Sequence, residues 1–395
     1  MSDFNKLWAG QTVSLLGSAL TVFALPTLAI LILHATPAQV GVLEAMQTLP
    51  FPILGVFIGV LADRWPRRRI MIVADLARFA LLATIPAAAF FGVLSMPQLS
   101  LVALATGVCS AFFGITYQSY LPVIVAKDHL ADANVKLESS NSAANMAGAV
   151  LAGALVQFIG AAASIAFDAV SYLVSVVSLT RIRAAELKHE GPSLSLRQAL
   201  HEIAEGVQAV MDTSNLRWIA AGTATSNFGG SIIGAVTLLY AYRILHLQPG
   251  WLGVVFGLAE IGFVGALLST RIRGRFGLRA TLVGALSLSA LGSACMLLAQ
   301  IGFPYIALFA ASALAAVAIP VYNINQVSYR QAIVELRLQG RVNATMRTFV
   351  WGTLPLGSIV GGYLGSAVGI PRTILIGALV IGLATLWLLP VQERV

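Results

Sequence analysis

The chain has 395 residues, 58% of them hydrophobic and only 10% charged, with a mean hydropathy of +0.86. That is more apolar surface than a water-soluble core of this length can bury, so the expected solvent is lipid. The net charge of +8 would suit nucleic acid, but the basic residues sit in short loops rather than along one helical face, which excludes a nucleic-acid groove.

Apolar runs of roughly 20 residues or more divide the chain into twelve predicted spans, near 8–33, 39–62, 70–93, 99–126, 140–160, 162–182, 216–242, 248–270, 280–301, 304–330, 342–368 and 371–391. Span 1 begins almost at Met1 and lacks a small-residue cleavage site after a short core, so it is expected to stay in the membrane rather than be removed as a signal peptide. It carries Gln11 and Ser14. Span 2 carries Glu44 about one turn inside its outer end, where the side chain can snorkel or reach a cavity rim. After it comes "LADRWPRRR" at 61–69, a dense charge cluster in a chain poor in charge.

Asp75 and Arg78 on span 3 are three residues apart, a spacing that lets them meet on one helical face as an intramembrane ion pair. From Phe79 to Ala126 no charged residue occurs, and "SMPQ" at 95–98 turns the chain between spans 3 and 4. Span 4 brings Tyr117 and Gln118. Span 5 holds "NMAGAVLAGALV" at 145–156, where small residues permit close helix approach, and span 6 holds Asp168 about two turns from the outer surface. The only long polar segment, about 183–215, contains "SLRQALHEIAEGVQAVM". Its Ser195 and Gln198 have capping-box spacing, and Leu196, Leu200, Ile203, Val207 and Val210 fall on one face, as an amphipathic helix on the cytoplasmic surface requires.

In the second half, Asn227 lies on span 7 and Glu260 mid-way along span 8. A carboxylate at that depth has to face water, pair, or take up a proton, and release of that proton to the other side is what proton coupling needs. Tyr322, Asn325 and Gln326 lie on span 10, and Phe349 and Trp351 on span 11. Inside loops collect nearly all Lys and Arg, including Arg64, Arg67, Arg68 and Arg69, while outside loops hold only Arg243 and Arg372, so both termini are expected in the cytoplasm. Cys109 and Cys295 fall within spans, and the five histidines lie in or beside loops. No metal site, disulfide framework or cofactor is expected, and an integral membrane enzyme has little support.

Sliding the chain against itself by about 210 residues aligns "SLLGS" (14–18) with "SNFGG" (226–230) and "DRWPRR" (63–68) with "GRFGLR" (274–279). Asn134, Gly148, Gly153 and Gly160 then fall on Asn343, Gly357, Gly362 and Gly369. Two copies of one six-span unit account for this. The expected organisation is a six-helix bundle at 1–182, a cytoplasmic linker at 183–215, and a second six-helix bundle at 216–395.

"GVLADRWPRRR" at 59–69 resembles the signature of the major facilitator superfamily in the loop between helices 2 and 3, with Pro66 where glycine is usual. "LWAGQTVSLLGS", "LPVIVAKDHLADAN" and "GRVNATMRTFVWGTLPLGSIVGG" are similar to its drug-efflux branch of macrolide and enterobactin exporters. The resemblance implies an all-α major facilitator fold, with twelve spans in two six-helix bundles, and an exporter of amphipathic small molecules that works by proton antiport and alternating access in a cell membrane. It implies that Asp63 docks on the start of helix 11 as a gate, with Gly59, Arg64, Arg67 and Arg68 around it. It also places Gln11, Ser14, Tyr117, Gln118, Asn227, Tyr322, Asn325 and Gln326 on helices 1, 4, 7 and 10, which line the pathway, with Trp351 and Phe349 on helix 11 as candidate aromatic walls. Proton-coupling candidates are Glu260, Glu44 and Asp168. Ala149 stands where an antiporter motif has proline. With no deep Arg or Lys expected in the cavity, neutral or cationic substrates are favoured. The transporting unit is expected to be a monomer in the bilayer, whose partners are substrate and protons. An uncoupled facilitator or a lipid flippase of the same fold stays open as an alternative.

Overall fold

A computed structural model describes residues 3–62, 65–184, 196–260 and 263–392 of the chain. Asp63 and Arg64 of the predicted gate, and Ser195 of the predicted capping box, lie outside the described residues.

The described chain is helical: α1 (Asp3–Leu31), α2 (Pro37–Thr48), α3 (Pro50–Ala62), α4 (Arg67–Phe90), α5 (Met96–Ile124), α6 (Leu130–Ile159), α7 (Ala161–Thr180), α8 (Leu196–Asp212), α9 (Ser214–Leu239), α10 (Pro249–Ala259), α11 (Phe263–Cys295), α12 (Pro304–Ile333), α13 (Leu336–Ala367) and α14 (Ile370–Leu383). In lipid every backbone N–H and C=O has to pair within its own segment, which is why apolar runs of this length fold as helices. Among the described residues, eight helical segments are long and apolar enough to cross a bilayer.

One predicted span is interrupted. The segment 39–62 is two helices, α2 and α3, parted at Leu49. Pro50 causes this, since it has no N–H to donate and disfavours helical backbone in the residue before it. Of the segment 248–270, α10 ends at Ala259, Glu260 follows it, and α11 is described from Phe263 onward. Conversely, α11 continues through the loop expected between spans 8 and 9, bent at Gly277, whose φ is 78°.

The chain forms two compact units. The first comprises Met1–His34, Met46–Ala199 and Gln248–Gly257, and the second Ala35–Ala45, Leu200–Leu247 and Leu258–Val395. In the first, α1 packs on α6 and α7, and α4 on α5 and α7. Leu7, Met71, Phe113, Tyr120 and Leu179 centre its core. In the second, α9 packs on α13 and α14, and α11 on α12, around Leu278, Leu282, Val321, Tyr322 and Leu388.

The same backbone devices recur in both units about 210 residues apart. His34 and His246 are left-handed, with φ of 50° and 53°. Gly160 opens α7 with φ 87° and Gly369 opens α14 with φ 89°, a conformation glycine adopts without steric cost. Each unit also has a glycine crossing. A Cβ on Gly153 of α6 would sit 2.8 Å from the Cα of Gly253 of α10, and one on Gly41 of α2 would sit 2.8 Å from the Cα of Gly362 of α13. Helices approach this closely only where side chains are absent.

The linker helix α8 belongs from Leu200 onward to the second unit. Val210 is buried with Leu216, Val342 and Met346, and a Cβ on Gly206 would meet the backbone carbonyl of Arg341 at 2.6 Å. Glu205 pairs with the Arg341 guanidinium beside that approach. Apolar contact and one charge pair thus hold α8 along the first turns of α13.

Candidate functional site

The charged groups at membrane depth fall into two kinds. Those of the first unit are buried. Asp75 of α4 is fully buried and pairs with Arg78 one turn on. The guanidinium lies 4.5 Å from the centre of the Phe113 ring on α5 and 4.3 Å from that of Tyr172 on α7, so it meets a π face from each of two other helices. The Tyr172 hydroxyl meets Ser18 Oγ of α1 at 3.0 Å, and Gln11 donates to Ser175 Oγ at 3.2 Å.

Asp168, also fully buried, accepts from Thr21 at 2.5 Å and from Ser171 at 3.2 Å. A Cβ on Gly17 would come within 2.6 Å of the Asp168 Oδ1, so glycine at that position of α1 leaves the room the carboxyl occupies. Four helices, α1, α4, α5 and α7, are therefore joined through one polar cluster. Breaking a buried pair of this kind by removing one partner costs about 3–5 kcal/mol, far more than a surface ion pair contributes. Ser14 is buried within the same unit. Tyr117 is half-buried and stacked on Phe113, ring centres 6.0 Å apart, while Gln118 is exposed.

At the start of α4, Arg68 donates to the carbonyls of Leu179 at 2.7 Å and Thr180 at 2.5 Å. Those are the last carbonyls of α7, where a cation complements the helix dipole. Arg67 is partly buried at the head of α4, and Gly59 lies on α3.

The second unit distributes its charge differently. Glu44 of α2 is half-buried, its carboxyl hydrogen-bonded to Ser358 of α13. A Cβ added to Gly234 of α9 would lie 3.8 Å from its Oε2. Glu260, directly after α10, is exposed, and among the described residues it is in no ion pair.

The neutral polar residues of this unit are turned inward. Tyr322 shares a 2.7 Å hydrogen bond with Thr223, and Asn325 donates to Ser269 and to the Val321 carbonyl, both at 2.8 Å. Gln326 is buried and accepts from Arg330 at 3.5 Å. Asn227 reaches the Val350 carbonyl at 3.4 Å. Trp351 is exposed, and the guanidinium of Arg347 lies 4.3 Å from its ring centre. Phe349 is exposed on another side of α13. Sequence reasoning passed over Arg347. The available signal was an arginine one turn before a tryptophan inside an apolar helix, a spacing at which a guanidinium can stack on the ring.

The model of the family described as transmembrane secretion effector matches residues 1–394. The chain is 25% identical to macrolide efflux protein A of Streptococcus pyogenes over 395 residues, covering 96% of this chain and 94% of that one. It is 27% identical to the multidrug efflux pump Tap of Mycobacterium tuberculosis (strain ATCC 25618 / H37Rv) over 383 residues, covering 92% and 87%. Among solved structures, a bacterial homologue of the iron transporter ferroportin in an inward-facing state is similar with a TM-score of 0.81 at 16% identity, over 99% of both chains. The nucleoside transporter NupG is similar with a TM-score of 0.76 at 14% identity, over 99% of this chain and 100% of that one. At such identities the structures speak to fold alone.

Proposed function

This chain belongs to the transmembrane secretion effector family, multi-pass membrane transporters of the major facilitator superfamily, and on that premise we propose that it exports small amphipathic organic compounds by alternating access, in exchange for protons. Relatives named for macrolide and multidrug efflux, matched along most of both chains, support the export reading. The observation that carries the coupling is Glu260: an exposed carboxylate next to the end of a membrane helix, in no ion pair among the described residues. A carboxylate of this kind can take a proton in one state and release it in the other. Glu44, against Ser358, is the second acid able to share that role. Asp168, sealed among Thr21 and Ser171, serves the first unit's packing in this account.

In the same reading the protein lies in the cell membrane as a monomer with both termini cytoplasmic, and the bundles of 1–182 and 216–395 alternate about a shared pathway. Asp63 latches the cytoplasmic side, and Arg68 fixes the base of that latch to α7. Returning one proton down ~100 mV releases about 2.3 kcal/mol, enough for roughly a forty-fold gradient of substrate.

Everted vesicles with and without an imposed proton gradient test this with a panel of fluorescent amphiphiles. Wild type is expected to accumulate substrate only with the gradient, and Glu260→Gln is expected to lose that dependence while inserting normally. Accumulation indifferent to both the gradient and the substitution would instead identify an uncoupled facilitator or a lipid flippase.

A further inference from the structure

The face of α13 that bears Arg347 carries a second kind of chemistry. At about 100° per residue, Arg347, Trp351, Ser358 and Gly362 share one side of the helix. Phe349, Leu356, Val360 and Tyr363, all exposed and apolar, share the opposite side, which suits lipid. Val350, Gly357 and Gly361 form the flank that meets α9, as the contacts of Asn227, Phe228 and Ile232 record. The Arg347 face is therefore not the lipid face. Toward its outer end α2 covers it, with Gly41 against Gly362 and Glu44 on Ser358. Toward the other end, about 16 Å along the axis from Ser358 at 1.5 Å per residue, Arg347 and Trp351 are exposed.

An arginine inside a membrane helix is costly unless it meets water or a partner. Arg341 has Glu205 and Arg330 has Gln326, but among the described residues Arg347 is in no ion pair. Its contact is the indole of Trp351 at 4.3 Å. Stacking occupies the face of the guanidinium and leaves its edge, a planar fork of N–H donors matched to two oxygens of one anion.

We infer that Arg347 and Trp351 form a recognition subsite for the anionic end of an amphipathic solute, a carboxylate or phosphate on the fork with the adjoining aromatic or apolar body against the indole. This rests on the export reading above and narrows it, replacing the expectation of neutral or cationic substrates. An anionic lipid head carries the same chemistry. The position of the pair, opposite the apolar lipid-facing strip, assigns the subsite to a solute.

The test is equilibrium binding to the purified full-length chain in zwitterionic nanodiscs, with 1-pyrenebutyrate and its uncharged amide as matched probes. Energy transfer from tryptophan to pyrene is the readout. Wild type is expected to bind the carboxylate about tenfold or more tighter than the amide, the scale of one charge-assisted bidentate contact. Arg347→Gln should level the two by weakening the carboxylate alone, so that unchanged amide binding certifies the fold. Arg347→Lys, which keeps charge without the fork, should hold a reduced preference of about threefold.

Equal affinities in wild type, or an undiminished preference in both variants, would overturn the subsite. Loss of the preference when phosphatidylglycerol is added would hand it to lipid and overturn the solute assignment. No gradient enters this assay. Vesicles that transport neither probe would sink the export reading while leaving the binding result standing.

Discussion

The two units use the same backbone and opposite charge chemistry. His34 and His246, Gly160 and Gly369, and the two glycine crossings are paired features. At the same register, however, Asp75 and Arg78 of the first unit correspond to Leu286 and Ser289 of the second, and Asp168 to Gly377. Conversely, Leu49 corresponds to Glu260. The first unit buries its charges and ties them to neighbouring helices. The second leaves Glu260 and Arg347 exposed. The backbone devices recur while the side chains differ, so that buried charge braces one unit and the other keeps charge accessible.

That contrast can be broken by substitution. The largest effect on stability is expected from Asp75→Ala, which strands a buried guanidinium and should cost about 3–5 kcal/mol in thermal or denaturant unfolding. Adding Arg78→Met should recover most of the loss, as the uncharged Leu286 and Ser289 of the second unit imply, and failure to recover would show that the pair does more than pack. Next, Gly362→Val and Gly253→Val would drive a side chain into facing backbone at the two crossings. Each should cost about 1–3 kcal/mol, and a large inequality would deny that the crossings are equivalent.

Asp168→Asn retains shape; its amide oxygen can accept from one of the Thr21 and Ser171 hydroxyls and its amide nitrogen can donate to the other. It should change stability by less than about 1 kcal/mol and leave any gradient dependence intact. The smallest stability effect belongs to Glu260→Gln, within about 0.5 kcal/mol, because an exposed side chain in no ion pair among the described residues has little to lose.

Much of the architecture is legible before any coordinates. Charge-free runs with a turn signal in the middle give the hairpins, and glycines recurring at one offset expose the duplication, because a positive φ or a close crossing admits little else. The three-residue spacing of Asp75 and Arg78 already puts them on one face. What no spacing reveals is the tertiary surrounding. Phe113 and Tyr172 come to Arg78 from helices far apart in sequence.

The interruption at Leu49 follows from Pro50, yet hydropathy averages across it and reads one span. Polar residues on pathway helices were also ambiguous: Tyr322 and Asn325 bond inside their own unit, and only packing decides between an inward bond and a cavity. Arg347 went unread because one arginine near a helix start looks like a topological anchor until the ring beside it and the lipid face opposite it are known.

The most direct test of the proposed division of labour separates exchange from uphill transport in proteoliposomes. With substrate on both sides and no gradient, Glu260→Gln should exchange labelled for unlabelled substrate at close to the wild-type rate. Under an imposed proton gradient it should fail to concentrate substrate, where wild type succeeds. Gradient-driven accumulation that persists in Glu260→Gln would contradict the account.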